Sequence, residues 1–313
     1  MMRERAATLV PPFQRPPSRV AIRRAANYER DLAGLIHETL VEFHLPVKGK
    51  SVLLKPNLVG LDLQGTMNTQ PAVIAATRES FLRLGAAQVL IGDGPALDRD
   101  TEAILESVGL RNYTGPLGGV FVDLNVDDVE RVAFKTRASR LKELYFPKTA
   151  LHVDFLVSMA KLKTHHWAGV TLSLKNMFGI VPGSCYGWPK NVLHWAGIDR
   201  AILDINAAVR PDFAIVDGIR GMEGNGPIQG TPKECGVLVL GDDPVAVDAT
   251  CCRIMGLRPE KVPHISAAAT LLGHLQVERI QQLGESAGAC RTAFAVLKEF
   301  ARLRDRATGS KNA

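Results

Sequence analysis

The amino-acid sequence predicts an α/β fold in which a mainly parallel sheet is flanked by helices. Short apolar runs that are typical of buried strands alternate with amphipathic helical patterns over most of the 313 residues, and this alternation favours such a sheet. A composition of 46% hydrophobic and 22% charged residues fits a globular protein with a sizeable core. The length leaves two arrangements open: one large domain, or lobes at 19–150 and 151–290 with the site between them.

The first half of the chain contains four predicted strands, at residues 19–22, 51–54, 88–91 and 120–124. An amphipathic helix lies between the first two and is expected to end before Pro46. The apolar residues at helical spacing in it are Leu32, Leu35, Ile36, Leu40 and Phe43. Pro71 begins the next helix at a first-turn position and Gly85 ends it. Another helix is predicted over residues 100–108.

The second half continues the alternation of strands and helices, with strands predicted at 153–159, 212–216 and 236–240. A helix follows His194, and another carries Asp248. The proline-rich residues 1–18 are predicted to form a disordered basic arm. Residues 291–313 are predicted to form a C-terminal helix and a basic tail.

Several classes of protein are not expected from this sequence. No uninterrupted apolar run reaches the length of about 18 residues that a membrane span needs, and the start has no apolar segment of a secretory signal, so a cytoplasmic protein is expected. The five cysteines are odd in number and form no C-x-x-C pair, which argues against a disulfide framework or a cysteine-only iron–sulfur site. Cys251 and Cys252 lie in an apolar helical context typical of small buried thiols.

The net charge of +6 is concentrated at the two ends of the chain. Residues 1–30 contain seven Arg and two Glu, and residues 291–313 contain six basic and two acidic residues. Aromatic residues are not interleaved with these basic ends and no nucleic-acid-binding motif is found, so nucleic acid is not the expected partner. An electrostatic contact between a tail and another polyanion stays open.

Polar clusters follow the predicted strands at their carboxyl ends. In parallel α/β sheets these ends converge on the ligand crevice, so side chains distant in sequence are expected to gather there. Lysine and amide groups in such a crevice suit a small anionic substrate. The candidate substrate-binding residues are Lys55, Asn57, Asp93, Lys161, Lys163, Asn176 and Asn225.

The segment 161–183 carries the greatest density of reactive side chains, and it follows an apolar strand. Cations placed next to the interior are costly to desolvate, which favours a functional role over a solvated basic loop. His165 and Lys175 are candidate catalytic residues, because imidazole titrates near neutrality and burial lowers the pKa of a lysine. Glu223, in the glycine-rich loop 221–230, is the third candidate.

A metal ion held by His165, His194 and Asp217 is a subsidiary prediction, and these ligand types suit iron, nickel or zinc. Structural roles compete with the functional ones at other positions. Lys55 could pair with Asp93 instead of binding a ligand. Asp242, Asp243 and Asp248 could be acids at the start of a helix, where they meet the helix dipole favourably.

Five motifs resemble the family known as domain of unknown function 362, over roughly residues 50–275. They are LLKPN at 53–57, IGDGP at 91–95, KLKTH with GVTLSLKNMFGIVPG within 161–183, VDGIRGMEGNGPIQG at 216–230 and GDDPVAVDA at 241–249. Relatives in that family are often joined to ferredoxin-type clusters. This sequence lacks the cysteine-rich segment, so no intrinsic ferredoxin-type cluster is expected, whereas an external electron-transfer partner stays open.

The segment from His165 to His194 is also similar, more faintly, to the nickel-pincer lactate racemase family. The shared order is His165, Ala168-Gly169, Lys175, Pro182-Gly183 and His194. The resemblance implies a lysine that holds a cofactor covalently, one histidine that acts as acid and base, and a later histidine that binds nickel.

Together these observations lead to three hypotheses. The first is an enzyme, an isomerase or oxidoreductase, that moves a proton or hydride at a carbon of a small anionic substrate, with or without a metal. The second is a redox partner that carries an iron–sulfur or organometallic cofactor supplied by other proteins. The third is a non-catalytic module that binds a polyanion through its basic tails.

Overall fold

The computed structural model describes residues 14–62, 64–96, 100–116 and 118–305. Most of the predicted N-terminal arm (residues 1–13) and the end of the predicted basic tail (residues 306–313) lie outside the described residues. Ser18, which was predicted to belong to the arm, is instead the first residue of a strand and is buried.

The main sheet has nine strands in the described part of the chain. They are β1 (Ser18–Arg24), β2 (Ser51–Lys55), β3 (Gln88–Asp93), β4 (Phe121–Asp123), β7 (Phe155–His165), β8 (Gly169–Val170), β9 (Phe213–Glu223), β10 (Thr231–Gly241) and β11 (Ile280–Gly284). A separate antiparallel hairpin, which the sequence did not predict, consists of β5 (Val129–Ala133) and β6 (Glu143–Pro147). The seven predicted strands are all present.

The strand order is β11-β1-β10-β9-β7-β2-β3-β4, with β8 paired to the end of β7. The central block β9-β7-β2-β3-β4 is parallel throughout, and β1 is also parallel to β11. Only β10 runs antiparallel to its two neighbours in this order. The prediction of a mainly parallel sheet is therefore confirmed. Strands from 19–150 and from 151–290 share this sheet, so it gives no boundary between two lobes.

Helices cover both faces of the sheet, as predicted. They are α1 (Leu32–Glu42), α2 (Pro71–Arg83), α3 (Thr101–Ser107), α4 (Leu110–Thr114), α5 (Lys148–His152), α6 (Leu172–Asn176), α7 (Gly183–Tyr186), α8 (Asn191–Trp195), α9 (Ile198–Ala208), α10 (Pro244–Ile254) and α11 (Pro263–Ala269). Successive residues of a strand point to opposite faces. Val52 and Leu54 share a buried cluster with α1 and α2, whereas Leu53 belongs to the cluster that contains α9 and α10. In the described ranges no helix is long and apolar enough to cross a bilayer.

Two predicted boundaries need correction. The strand predicted at 153–159 continues as β7 to His165, so the first basic residues of segment 161–183 lie on a strand and not in a loop. Parallel pairing with β9 continues through Lys161, and the resulting burial of charge is tolerated because Asp217 lies opposite. In 291–305, the predicted C-terminal helix is replaced by a short 3₁₀ helix at Lys298–Leu303.

Candidate functional site

A cavity of about 260 Å³ lies at the carboxyl ends of β2, β3 and β7. The sheet topology predicts a ligand crevice at this edge. Two-thirds of the predicted site residues line it. They are Lys55, Asn57, Asp93, Lys163, His165, Lys175, Asn176 and His194.

Lys55 and Asp93 form a fully buried ion pair at one end of the cavity, with 2.6 Å between Nζ and Oδ1. Lys55 also donates to Asn176 Oδ1 at 3.0 Å. The Asp93 carboxylate accepts hydrogen bonds from the N–H groups of Leu58 (2.6 Å) and Gly94 (2.8 Å). Burial lowers the pKa of Lys55, and Asp93 opposes that shift. The structural prediction for Lys55 is thus confirmed: with a further hydrogen bond to the Pro56 carbonyl at 2.7 Å, all three N–H groups of its ammonium have protein partners.

Lys163 and Lys190 are two further buried cations of the cavity. Their ammonium groups donate to backbone carbonyls: Lys163 to Met67 at 2.6 Å, and Lys190 to Gly94 and Gly179 at 2.7 and 3.2 Å. In the described part of the chain neither has an ion pair. Burial, together with the charge of other lysines, lowers the pKa of Lys163 well below its usual value and that of Lys190 to about 7.

The sequence reasoning missed Lys190. It lies between Lys175 and His194, two residues that were singled out, and directly precedes α8. Its backbone is in the left-handed region, at φ 63°, which a non-glycine residue adopts uncommonly. Its position between those two residues was the one feature of the sequence that could have pointed to it. The tertiary contacts that bury the Lys190 side chain cannot be predicted from the residues next to it in the chain.

Lys175 is placed by the short helix α6, whose start is held by a buried carboxylate of α10. Asp248 accepts from the N–H groups of Ser173 and Leu174 at 2.7 and 3.0 Å and from the Ser173 hydroxyl at 2.5 Å. The Lys175 ammonium lies 4.0 Å from the centroid of the Phe178 ring, a cation–π contact. Burial, with a smaller effect of another cation, lowers the pKa of Lys175 to about 7.

Two stacked imidazoles lie on the cavity wall, with 5.0 Å between ring centroids. His165 Nδ1 accepts from the N–H groups of Trp167 and Ala168 at 3.0 and 3.2 Å, so its proton is on Nε2. His166 Nδ1 lies 2.9 Å from the Gly226 carbonyl oxygen and must donate to it. Burial and nearby cations lower the pKa of His165 well below its usual value, so it is neutral.

His194 completes an aromatic wall. Its ring makes edge contacts with Trp167 and Phe178, at centroid distances of 4.8 and 5.8 Å. Burial, together with the charge of Lys175, lowers the pKa of His194 to about 4. This imidazole is therefore also neutral near pH 7.

Three buried polar atoms of cavity-lining residues have no hydrogen-bond partner among the described residues: Asn57 Oδ1, Thr171 Oγ1 and His194 Nδ1. The Asn57 and Thr171 side chains are more than nine-tenths buried. An unsatisfied buried polar atom costs about 1–3 kcal/mol. Residues that line the cavity therefore retain hydrogen-bonding capacity that the described part of the protein does not use.

Lys161 and Asp217 do not line the cavity. They form a second fully buried ion pair, with 2.8 Å between Lys161 Nζ and Asp217 Oδ2. The Tyr28 hydroxyl lies 2.9 Å from Lys161 Nζ and donates to Asp217 at 3.0 Å. This closed triad fixes β7 to β9 and to the loop after β1.

Glu223 and Asn225 also lie away from the cavity. Glu223 pairs with Lys233 at 3.2 Å and accepts from the Ala295 N–H at 2.8 Å. Asn225 is exposed and donates to Gln229 at 3.2 Å. Their loop instead contributes Pro227 and Ile228 to the cavity wall.

The predicted metal ligands are not brought together. His165 and His194 share the cavity, but Asp217 is occupied by Lys161. Among the described residues no group of three or more His, Cys, Asp or Glu is placed to hold a metal ion. The Lys175 amine shares the cavity with both histidines, and its pKa is lowered to about 7.

Comparisons with known proteins give one relative and two solved structures. The thylakoid-associated protein sll1697 of Synechocystis sp. is 31% identical over 232 residues, which cover 71% of this chain and 68% of that protein. The lactate racemase apoprotein from Thermoanaerobacterium thermosaccharolyticum aligns with a TM-score of 0.37 and 15% identity, over 69% of this chain. A Thermotoga maritima structure aligns with a TM-score of 0.35 and 13% identity, over 72%.

The chain spans 52% and 58% of the lengths of those two structures, and at such TM-scores neither informs the chemistry of this protein. The family profile is decisive, because it matches residues 52–253 and thus all three strands that form the cavity. The chain belongs to the family described as domain of unknown function (DUF362).

Proposed function

We propose that this protein is an enzyme that binds a small carboxylate in the cavity and moves a proton at a carbon atom of that substrate. One observation carries the proposal. Four lysines, Lys55, Lys163, Lys175 and Lys190, share the cavity wall with a single carboxylate, Asp93.

The excess of cations supports an anionic ligand. Lys55 has its counter-ion in Asp93, whereas Lys163 and Lys190 donate to carbonyl oxygens and Lys175 rests on a ring. Lys55 and Lys175 lower the pKa of other lysines of the cavity through repulsion. A carboxylate in the cavity would supply the missing negative charge and bind ammonium groups through charge-assisted hydrogen bonds.

The acid–base groups support proton transfer. With a pKa of about 7, Lys175 is neutral in a large fraction of molecules at neutral pH and can take a proton from carbon. When that carbon is next to a carbonyl or carboxyl group, the negative charge moves to oxygen. The Nε2–H of His165 and the Lys163 side chain are donors that can stabilise an oxyanion.

Proton transfer balances without a further reactant: the C–H bond breaks, Lys175 gains the proton, and the proton returns to carbon from the lysine or from solvent. Hydride transfer would need an acceptor.

Hydrogen–deuterium exchange tests the proposal. The purified protein is incubated in D₂O with a panel of 2-oxo and 2-hydroxy carboxylates, and loss of the C–H signal is followed by proton NMR. The wild type is expected to catalyse exchange with at least one compound. Lys175→Ala should slow exchange by about 10²–10⁴-fold, the usual contribution of a general base, with an unchanged circular dichroism spectrum.

Lys48→Met is the matched control, because Lys48 is an exposed lysine that does not line the cavity. It should retain the wild-type rate. Full exchange activity in Lys175→Ala would overturn the role of that amine. Exchange with none of the carboxylates that bind would overturn the proposed reaction.

A further inference from the structure

In the cavity wall, charged side chains are the buried ones and apolar side chains are the exposed ones, which is the reverse of an ordinary protein surface. Its most deeply buried side chains include the cations Lys55, Lys163 and Lys190, which are at most 1% exposed. Its most exposed side chains are Trp167, Pro189 and Ile228, and all three are apolar. The ligand therefore meets charge at the floor and apolar surface at the rim.

The rim, formed by Trp167, Pro189 and Ile228, includes an aromatic contact. Trp167 remains 54% exposed although its ring packs edge-on against His194 at 4.8 Å. Ile228, 37% exposed, comes from the loop between β9 and β10 and lines the same cavity. Large apolar side chains held at the mouth of a cavity offer area that a ligand can bury, and such burial favours binding.

The size of the cavity also exceeds the needs of a short acid. The volume of about 260 Å³ is many times the roughly 10–15 Å³ that a single water molecule needs. The cavity therefore has room for more than a carboxylate and the atoms next to it. Because the lysines are buried, the charges of a macromolecular polyanion cannot reach them, and such a molecule is excluded as the ligand of this cavity.

We infer that the substrate is an amphiphilic carboxylate, with an aromatic or branched aliphatic substituent that lies against Trp167 and Ile228 while the carboxylate reaches the lysines. This substrate class rests on the proposed function and adds the part of the molecule that sets specificity. Trp167 and Ile228 are then specificity-determining residues that do not take part in the proton transfer.

A matched pair of acids tests the inference by isothermal titration calorimetry: 2-hydroxypropanoate and 2-hydroxy-3-phenylpropanoate, which share one head group. The phenyl compound should bind the wild type at least about tenfold more tightly, since each well-placed apolar group contributes a factor of about ten or more. Trp167→Ala and Ile228→Ser should each reduce that ratio and leave the affinity for the short acid within about twofold. Trp195→Ala is the control, because Trp195 is 76% exposed and lies outside the cavity lining.

The outcomes separate this inference from the proposed function. Equal affinities for the two acids would overturn the amphiphilic substrate and leave an anion-binding enzyme. A ratio that Trp167→Ala and Ile228→Ser do not change would overturn the role of the rim. If neither acid nor any other carboxylate binds, the proposed function itself fails.

Discussion

Replacement of Lys163 by methionine should make the protein more stable while it abolishes anion binding. Lys163 is fully buried, and its ammonium donates to one carbonyl, that of Met67. A buried lysine in this position either stays charged at a high desolvation cost or gives up its proton. Methionine has a similar length and carries no such cost.

The size of the effect follows from the proton equilibrium. An unfolded lysine has a pKa of about 10.4, and each pH unit below that value costs about 1.4 kcal/mol when the folded group is neutral. At pH 7.5 the burial of Lys163 therefore costs at most about 4 kcal/mol. The variant also loses the hydrogen bond to the Met67 carbonyl, which lowers its stability by about 1 kcal/mol. We expect Lys163→Met to raise the free energy of unfolding by about 1–3 kcal/mol.

The effect of Lys163→Met on stability is expected to depend on pH. Burial lowers the pKa of Lys163 in the folded state, so the unfolded state binds more protons and the stability of the wild type rises with pH toward 10. The gain from Lys163→Met should consequently shrink as pH rises. Urea unfolding at several pH values, followed by circular dichroism, measures both quantities. Lys148→Met, at an exposed surface pair, should change stability by less than about 1 kcal/mol.

A Lys163→Met variant that is less stable than the wild type at pH 7.5 would refute this reasoning. It would mean that the charge has a compensating partner in the folded protein. Retained binding of carboxylates by the variant would refute the assignment of Lys163 to the anion site.

Three further predictions follow from the same geometry. Asp93→Asn should destabilise the fold by about 3–5 kcal/mol in urea unfolding, because it leaves the Lys55 charge buried and unpaired; a cost below about 1 kcal/mol would contradict this. Burial raises the pKa of Asp248 to about 7, so the folded state binds a proton that the unfolded state lacks and this contribution to stability falls as pH rises from about 4 to about 7. Asp248→Asn should flatten that slope and cost about 1–3 kcal/mol through a lost acceptor for backbone N–H groups, and an unchanged slope would argue against it. Carboxylate affinity, measured by calorimetry, should fall as pH rises through about 7, because Lys175 and Lys190 lose their charge; a pH-independent affinity would rule out their participation.

The sequence predicted the fold well because its strands are apolar runs that leave few alternatives. Val52 to Leu54 and Phe155 to Met159 are buried on both sides of the sheet, so helices must cover both faces. Strand ends were harder to predict. β7 and β9 continue into polar residues because Lys161 and Asp217 neutralise each other across the pair, and this is visible only once the strands are adjacent.

The candidate site could be predicted in part for the same reason. Residues at the carboxyl ends of parallel strands, such as Lys55, Asp93 and Lys163, must converge whatever the loops do. The loop residues Glu223 and Asn225 were grouped with them on sequence alone, but their loop turns Pro227 and Ile228 toward the cavity instead. Loop conformation depends on tertiary contacts, which a local pattern does not record.

The lysines fall into two groups according to the protein groups that each one contacts. Lys55 and Lys161 have buried carboxylate partners in Asp93 and Asp217, so their charges are largely committed to the fold. Lys163, Lys175 and Lys190 form no ion pair among the described residues, although Asp93 acts on Lys190 from a distance. A protein that needed only stability would replace such lysines with apolar residues, since buried unpaired cations are costly. Three of them around one cavity are explained most simply by a ligand that brings its own negative charge.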